Sequence, residues 1–282
     1  MVLADSNIFS LASNVELWCW RCRMVLKETV VEITEKMIVL EYPKFVPLGD
    51  QVIVAQFEKE LSLGINQKVL RFAEEVEGVK IPGVTQIIPT FCTVAIRYNP
   101  LKITYKALTE ELEIIKSGIV FDQTKDNKPK NIVHIPVVYG GEYGPDLAYV
   151  AKNTGLNIDE VVRLHTSKPY FIYMLGVIGS YPYLGDLDER LALKRRSSPR
   201  IRVEKGSIVI ANQLTVLHPL ASPSGWHVIG RTPMETFNPH QDPPSTLLAG
   251  DYIKFEAISA EEANQWNQNK QREWIEKCGS SK

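Results

Sequence analysis

The sequence predicts an α+β protein: a small α/β unit followed by a unit of short antiparallel strands, a barrel or a sandwich. Three observations carry this. From Gln51 to Val137, strand-like runs and two helical stripes follow one another in the order β-α-β-β-α-β, the ferredoxin-like plan. After His165 the helical spacing gives way to short β-branched runs broken by glycine and proline. Between the halves lies DQTKDNKPKN, Asp122 to Asn131, polar throughout. The expected organisation is an extension over 1–44, an α/β domain over 45–125, a β domain over 131–260 and a tail helix over 261–282.

Each element has its own local warrant. QVIVAQF (Gln51 to Phe57) is β-branched and reads as a strand. Ile65, Val69, Phe72, Ala73 and Val76 fall on one helical face, with Gly78 as the expected stop. VTQIIPT is a short strand. In CTVAIRY, Val94, Ile96 and Tyr98 alternate with Thr93, Ala95 and Arg97, as in a half-buried strand, and Asn99-Pro100 is a turn. Tyr105, Leu108, Leu112 and Ile115 form a second helical stripe, and NIVHIPV from Asn131 is the sixth element. Gly144-Pro145 opens a short helix that Gly155 closes. Asn157 and Glu160 have capping-box spacing for a helix ending near His165. PYFIYMLGV, GSIVIA, LTVL, WHVIG and DYIKFEAI supply the later strands. The polar stretch from Ser259 to Lys277 reads as a surface helix docked by Trp266 and Trp274.

Composition narrows the function. The 282 residues carry 32 cations and 33 anions, a net charge of -1. Duplex-binding proteins need a clear positive excess, so nucleic acid is not an expected partner. No run is long and apolar enough for a membrane span. MVLADSNIFS lacks a basic start and carries Asp5, so no secretory signal is expected and the location is read as cytoplasmic. Cys19 and Cys22 have the spacing of a redox pair or half a zinc site. No further ligands lie nearby in sequence, so free thiols are expected. Neither a phosphate loop nor a dinucleotide fingerprint occurs, and no metal or flavin site is signalled.

Three loops hold the candidate chemistry. YGGEYGPDL places Glu142 and Asp146 at a helix start, either as a turn with a cap or as a ligand-reaching loop. SPSGWHVIGRTP offers Trp226 as stacking area and Arg231 as a forked donor, although a buried tryptophan capped by arginine has the same pattern. GSYPYLGDLDERLALKRRSSPR combines Tyr181 and Tyr183 with Arg190, Lys194, Arg195, Arg196 and Arg200. It is either a solvated, self-paired loop or a site for a small anion.

These loops, taken in order, resemble the KipI/PxpB family, the first subunit of the allophanate-hydrolase-type carboxyltransferase pair. The matching segments are HIPVVYGGEYGPDL, GLNIDEVVRLH, YFIYMLG, YPYLG, SSPR, GSIVIA, SPSGW with IGRTP, and PPSTLLAGDYIKF, with PLGDQVIVAQF upstream. Together they cover roughly Pro47 to Ile258. The resemblance implies a small ferredoxin-like α/β domain followed by a cyclophilin-like antiparallel β-barrel. It implies a KipA/PxpC-type partner and, with a third subunit, ATP-dependent 5-oxoprolinase activity in the complex. The alternatives it carries are inhibition of a sensor histidine kinase and a part in urea or amide carboxylation. Against the family pattern, Gly179-Ser180 stands for Pro-Gly and Asp186 for Gly. Lys194 stands for Pro, and Leu214, Val216 and His218 stand for Gln, Gly and Tyr. For that activity, residue type and loop position make Arg195, Arg200 and Arg231 the groups expected to stabilise carboxylate or phosphoryl charge, with Glu142 and His165 as acid-base groups. Tyr181, Pro182, Tyr183, Gln213, Thr215, Trp226 and Thr232 are expected to line the substrate pocket.

Overall fold

The computed structural model describes residues 42–119, 131–176 and 179–279. Cys19, Cys22, most of the expected extension and most of the DQTKDNKPKN segment lie outside the described residues. From Pro43 onward the chain is one compact unit.

The first layer is a sheet of β1 (Lys44–Pro47), β2 (Val52–Gln56), β3 (Val84–Pro89) and β4 (Thr93–Tyr98), in the order β1-β2-β4-β3 and antiparallel throughout. Alternation decides which face is covered: Ile53, Ala55, Val94 and Ile96 are fully buried, while their neighbours stay partly open. Two helices cover that face. Helix α1 (Leu63–Val79) buries the expected stripe of Ile65, Val69, Phe72, Ala73 and Val76, and the Ser62 hydroxyl caps its start. It ends one residue past the expected Gly78, with Lys80 in the left-handed region. Helix α2 (Tyr105–Gly118) buries Leu108 and Leu112, while Tyr105 at the stripe's end stays exposed.

The sixth element of the expected plan goes elsewhere. Strand β5 (Ile132–Tyr139) joins the barrel, and β1, from before the first expected strand, takes an edge of the small sheet. The reason lies in its residues: Ile135, Val137 and Val138 are all buried, so this strand needs cover on both faces.

The second layer is a closed barrel. Its strands are β5, β6 (Tyr170–Gly176), β7 (Tyr181–Leu184), β9 (Ser207–Ala211), β10 (Leu214–Leu217), β12 (His227–Arg231) and β13 (Tyr252–Ala257), in the order β10-β7-β6-β13-β5-β12-β9. The expected antiparallel pattern fails at one seam, where β5 and β13 run parallel. They are the first and last strands, and the whole intervening chain provides the long crossover that parallel pairing requires. Ile135, Ile172, Ile208, Ile210, Ile229 and Phe255 fill the interior. Helices α3 (Leu147–Thr154) and α4 (Ile158–His165) add Leu147, Val150, Val161 and Leu164 to it. The expected capping box is present, with Asn157 and Glu160 bonding reciprocally. Helices α5 (Ala260–Asn264) and α6 (Gln268–Gly279) follow. Trp266 and Trp274 meet edge to face and pack against the barrel core, and Trp274 Nε1 donates to the His134 carbonyl at 2.9 Å.

Outside the barrel, β8 (Arg200–Val203) and β11 (Ser222–Ser224) form a two-stranded ribbon. Beneath it lies a second small core of Val203, Val209, Val216, Trp226 and Val228, flanked by Tyr181 and Tyr183. The small sheet docks beside this region. Asn66 on α1 is fully buried, and its Nδ2 donates to the carbonyls of Thr90, Phe91 and Tyr173. The Phe91 ring meets Tyr173 at 5.9 Å and Tyr183 at 5.8 Å.

Two departures from the family pattern keep the backbone that glycine would favour. Ser180 has φ 58° and Asp186 has φ 60°. An L residue there costs about 1–2 kcal/mol, part of which glycine returns to unfolded-chain entropy. Ser180→Gly should therefore raise stability by up to about 1 kcal/mol, read as a higher denaturant midpoint at unchanged slope.

Candidate functional site

The basic run is organised around one buried carboxylate. Asp146, at the start of α3, is 4% exposed. Its oxygens accept from Arg196 Nη1 at 2.9 Å, Arg200 Nη1 at 2.6 Å and Arg200 Nη2 at 2.8 Å. The Val228 N–H also donates to it at 2.8 Å. Burial alone would raise this carboxyl. The Arg200 and Val228 hydrogen bonds and the charges of both arginines outweigh burial and hold it below the usual carboxylate range. Gly144 permits the approach: a Cβ there would lie 2.0 Å from the Ile229 carbonyl oxygen. The choice left open between cap and ligand group is thus resolved for Asp146 as a structural anchor.

The clamp presents Arg195. Its neighbour Arg196 and, four residues on, Arg200 are fixed on Asp146, while Arg195 has no carboxylate partner among the described residues. Its guanidinium lies over the Trp226 ring at 5.6 Å. There it borders a cavity of about 340 Å³ lined by Tyr181, Tyr183, Ser222, Ser224 and Trp226. Behind the cavity sits His218, fully buried, with Nε2 against the Tyr181 hydroxyl and Nδ1 3.2 Å from Ser222 Oγ. A second cavity of about 490 Å³ shares Arg195 and is bounded by Tyr149 and His227, whose rings stack at 5.2 Å. Among the described residues no cluster of three or more metal-ligating side chains occurs, and no helix is long and apolar enough to cross a membrane.

Known proteins share this frame. The family model "Carboxyltransferase domain, subdomain C and D" matches residues 43–247. The 5-oxoprolinase B subunit of Bacillus subtilis (strain 168) is 37% identical over 220 residues, covering 75% of this chain and 91% of that protein. The chain belongs to the carboxyltransferase-domain family. The 5-oxoprolinase B subunit of Escherichia coli O157:H7 is 36% identical over 211 residues, covering 74% of this chain and 93% of that one. Among solved structures, that of TTHA0988 superposes with a TM-score of 0.66 at 28% identity; the match covers 74% of this chain and 40% of that one. The Kluyveromyces lactis urea amidolyase matches at TM-score 0.66 with 20% identity, over 84% of this chain and 17% of that one, a likeness of fold alone.

The carboxyltransferase-domain frame distributes the expected site residues unevenly. Tyr181, Tyr183, Trp226 and Arg195 share one cavity, and Pro182 is buried between the two tyrosines in β7. Arg200 is held by Asp146 beside it. Arg231 lies at the far end of β12, five residues or roughly 16 Å from Trp226. Its guanidinium stacks on Tyr143 at 4.8 Å. Glu142 is exposed on the loop after β5. Gln213 borders a different cavity, with Asp186 and Arg190. Thr232 is buried, and its hydroxyl accepts from the Met234 N–H.

His165 and Thr215 are partners inside the barrel. His165 is fully buried, with Nδ1 2.7 Å from the Tyr139 hydroxyl and Nε2 2.9 Å from Thr215 Oγ1. A charged histidine favoured by the helix C-terminus is the natural expectation there, but burial pushes its pKa down to about 3 and keeps it neutral. His218 is likewise pushed down to about 4 by burial. Both folded values lie below the unfolded value of about 6.5, so the unfolded chain takes up protons first as pH falls. Their contribution is complete above about pH 6.5 and is lost toward pH 4 and below, at about 1.4 kcal/mol per pH unit for each group. The melting temperature should drop steadily from about pH 6.5 to about pH 4.5; a flat profile would contradict both neutral histidines.

Neither residue type nor spacing singles out His218, Ser222 and Ser224. The available signal is the departure itself, a histidine at the family's tyrosine position. The family's glutamine position, Leu214, packs against the outer core beside Tyr181 and Tyr183.

Proposed function

We propose that this chain is the B subunit of an ATP-dependent 5-oxoprolinase complex, acting in the cytoplasm with a KipA/PxpC-type subunit and a third subunit to open 5-oxoproline to glutamate. The observation that carries this is Arg195, a cation without a carboxylate partner among the described residues, at the mouth of an aromatic cavity in a chain whose relatives are B subunits of 5-oxoprolinase. 5-Oxoproline is a small flat lactam with one carboxylate. A guanidinium fork takes the carboxylate, and Tyr181, Tyr183 and Trp226 supply faces for the ring while reducing water access.

Opening the lactam breaks the ring C–N bond; water adds to the carbonyl carbon and the nitrogen gains a proton. ATP supplies activation of the stable amide oxygen within the complex. The sequence carries no phosphate-loop motif, and no step on ATP is assigned to residues of this chain. Its share is binding and orientation: Arg195 fixes one end of the substrate, the Trp226 ring lies beneath its guanidinium, and the Asp146 clamp holds its chain neighbour Arg196. The test is co-expression with the partner subunits, followed by an assay of ATP-dependent glutamate release from 5-oxoproline. Turnover by the three-subunit assembly is expected; an intact assembly without turnover would overturn the proposal.

A further inference from the structure

The wall of the aromatic cavity is braced from the small sheet. Tyr183 lines the cavity, and its ring meets that of Tyr181 at 5.5 Å and that of Trp226 at 6.4 Å. The ring also lies against Gly176 on β6, where a Cβ would come within 2.9 Å of it. A further contact comes from outside the barrel. Phe91, in the turn between β3 and β4, meets Tyr183 edge to face at 5.8 Å, with the ring planes 73° apart. Aromatic pairs favour this spacing and this geometry. The Tyr183 hydroxyl makes no hydrogen bond among the described residues, so packing sets the direction of the ring. Phe91 is not one of the residues that line the cavity. It reaches the cavity through Tyr183.

Asn66 fixes Phe91 in turn. Its Nδ2 donates to the carbonyls of Thr90 at 2.9 Å, Phe91 at 3.0 Å and Tyr173 at 3.2 Å. An amide nitrogen has two protons, so one of them is shared between acceptors. Thr90 and Phe91 belong to the turn, while Tyr173 lies in β6, which pairs with β7 at Met174 and Tyr183. One fully buried amide on α1 therefore ties the turn that carries Phe91 to the barrel strand beside Tyr183. Carbonyls at a buried junction need a donor, and Asn66 supplies all three. The Phe91 ring adds its own contact with Tyr173 at 5.9 Å.

We propose that Phe91 and Asn66 are positioning residues of the cavity: Phe91 sets the direction of the Tyr183 ring, and Asn66 holds Phe91 in place. The small α/β unit thus shapes a pocket whose lining comes entirely from the barrel half of the chain. For the identity of the ligand the inference rests on the 5-oxoprolinase reading; for the bracing of Tyr183 it does not.

The direct test is a crystal structure of the full chain carrying Phe91→Ala, beside that of the wild type. The Tyr183 ring should be rotated or spread over two orientations in the variant; a single, unmoved ring would overturn the inference. In the assembled complex, Phe91→Ala should raise KM for 5-oxoproline about threefold to tenfold with kcat unchanged, the scale of one aromatic pair. Phe91→Tyr, which keeps the ring, should restore KM. A melting temperature lowered by Phe91→Ala with KM unchanged would show a structural role only, and would also overturn the inference. Asn66→Ala should reproduce the rise in KM. The double variant should rise no further than Asn66→Ala alone, because both act through one ring. Rises that multiply would overturn the route through Phe91. Should the wild-type complex show no turnover, the proposed function fails, while the Phe91→Ala structure still decides the bracing.

Discussion

Asp146→Asn should destabilise the protein by about 2–4 kcal/mol, a drop of roughly 5–15 °C in melting temperature for a unit of this size. The substitution is nearly isosteric, so the loss is electrostatic. Arg196 and Arg200 remain close together with no anion between them, and the Val228 N–H loses its charged acceptor. Breaking a buried pair usually costs about 3–5 kcal/mol, and the lower figure allows for the partial solvent access of the two arginine side chains. Arg196→Gln and Arg200→Gln should each cost less, because either arginine alone still neutralises Asp146. The double variant should exceed the sum of the singles. Calorimetry of the four proteins checks this. Additive losses, or an Asp146→Asn loss below about 0.5 kcal/mol, would show that the clamp does not hold the loop.

Trp226→Ala should cost about 3–5 kcal/mol, the usual range for removing a buried aromatic. Trp226 is 8% exposed and joins β12 to the outer core with Val203, Val209 and Val216. Its edge-to-face contact with Tyr183 at 6.4 Å and its place under Arg195 are lost together. Ligand binding should fall further than stability alone explains, since Arg195 loses the surface that orients it. Trp226→Phe separates the effects: it should recover most of the stability and part of the binding. Chemical denaturation gives the first quantity, and KM for 5-oxoproline in the complex gives the second. A Trp226→Ala protein of wild-type stability would contradict the outer core.

Local pattern makes much of the fold legible. The α1 stripe, the β4 alternation and the Asn157–Glu160 box all come through because each depends on neighbours within a turn or a strand. Destination is not legible. NIVHIPV reads correctly as a strand, but which sheet it enters depends on cover from residues more than a hundred positions away in β13. The site divides the same way. Tyr181, Tyr183, Arg195 and Trp226 do meet, whereas Arg200 and Arg231, equal candidates by residue type, are occupied by Asp146 and Tyr143. Nothing local distinguishes an arginine with a carboxylate partner from one without. His165 has a local rationale as a helix-end cation, and only its burial in the barrel shows it to be neutral.

Of the three arginines, Arg195 is the one proposed to face the substrate. The most direct measurement of this is kcat/KM for 5-oxoproline in the assembled complex, comparing Arg195→Ala with Arg231→Ala. Arg195→Ala should fall about a hundredfold or more, as expected when a charged contact of roughly 3 kcal/mol is lost, with assembly intact. Arg231→Ala should stay within about threefold of wild type. Near-normal turnover in Arg195→Ala, with loss in Arg231→Ala, would instead place the substrate at the Arg231 end of β12.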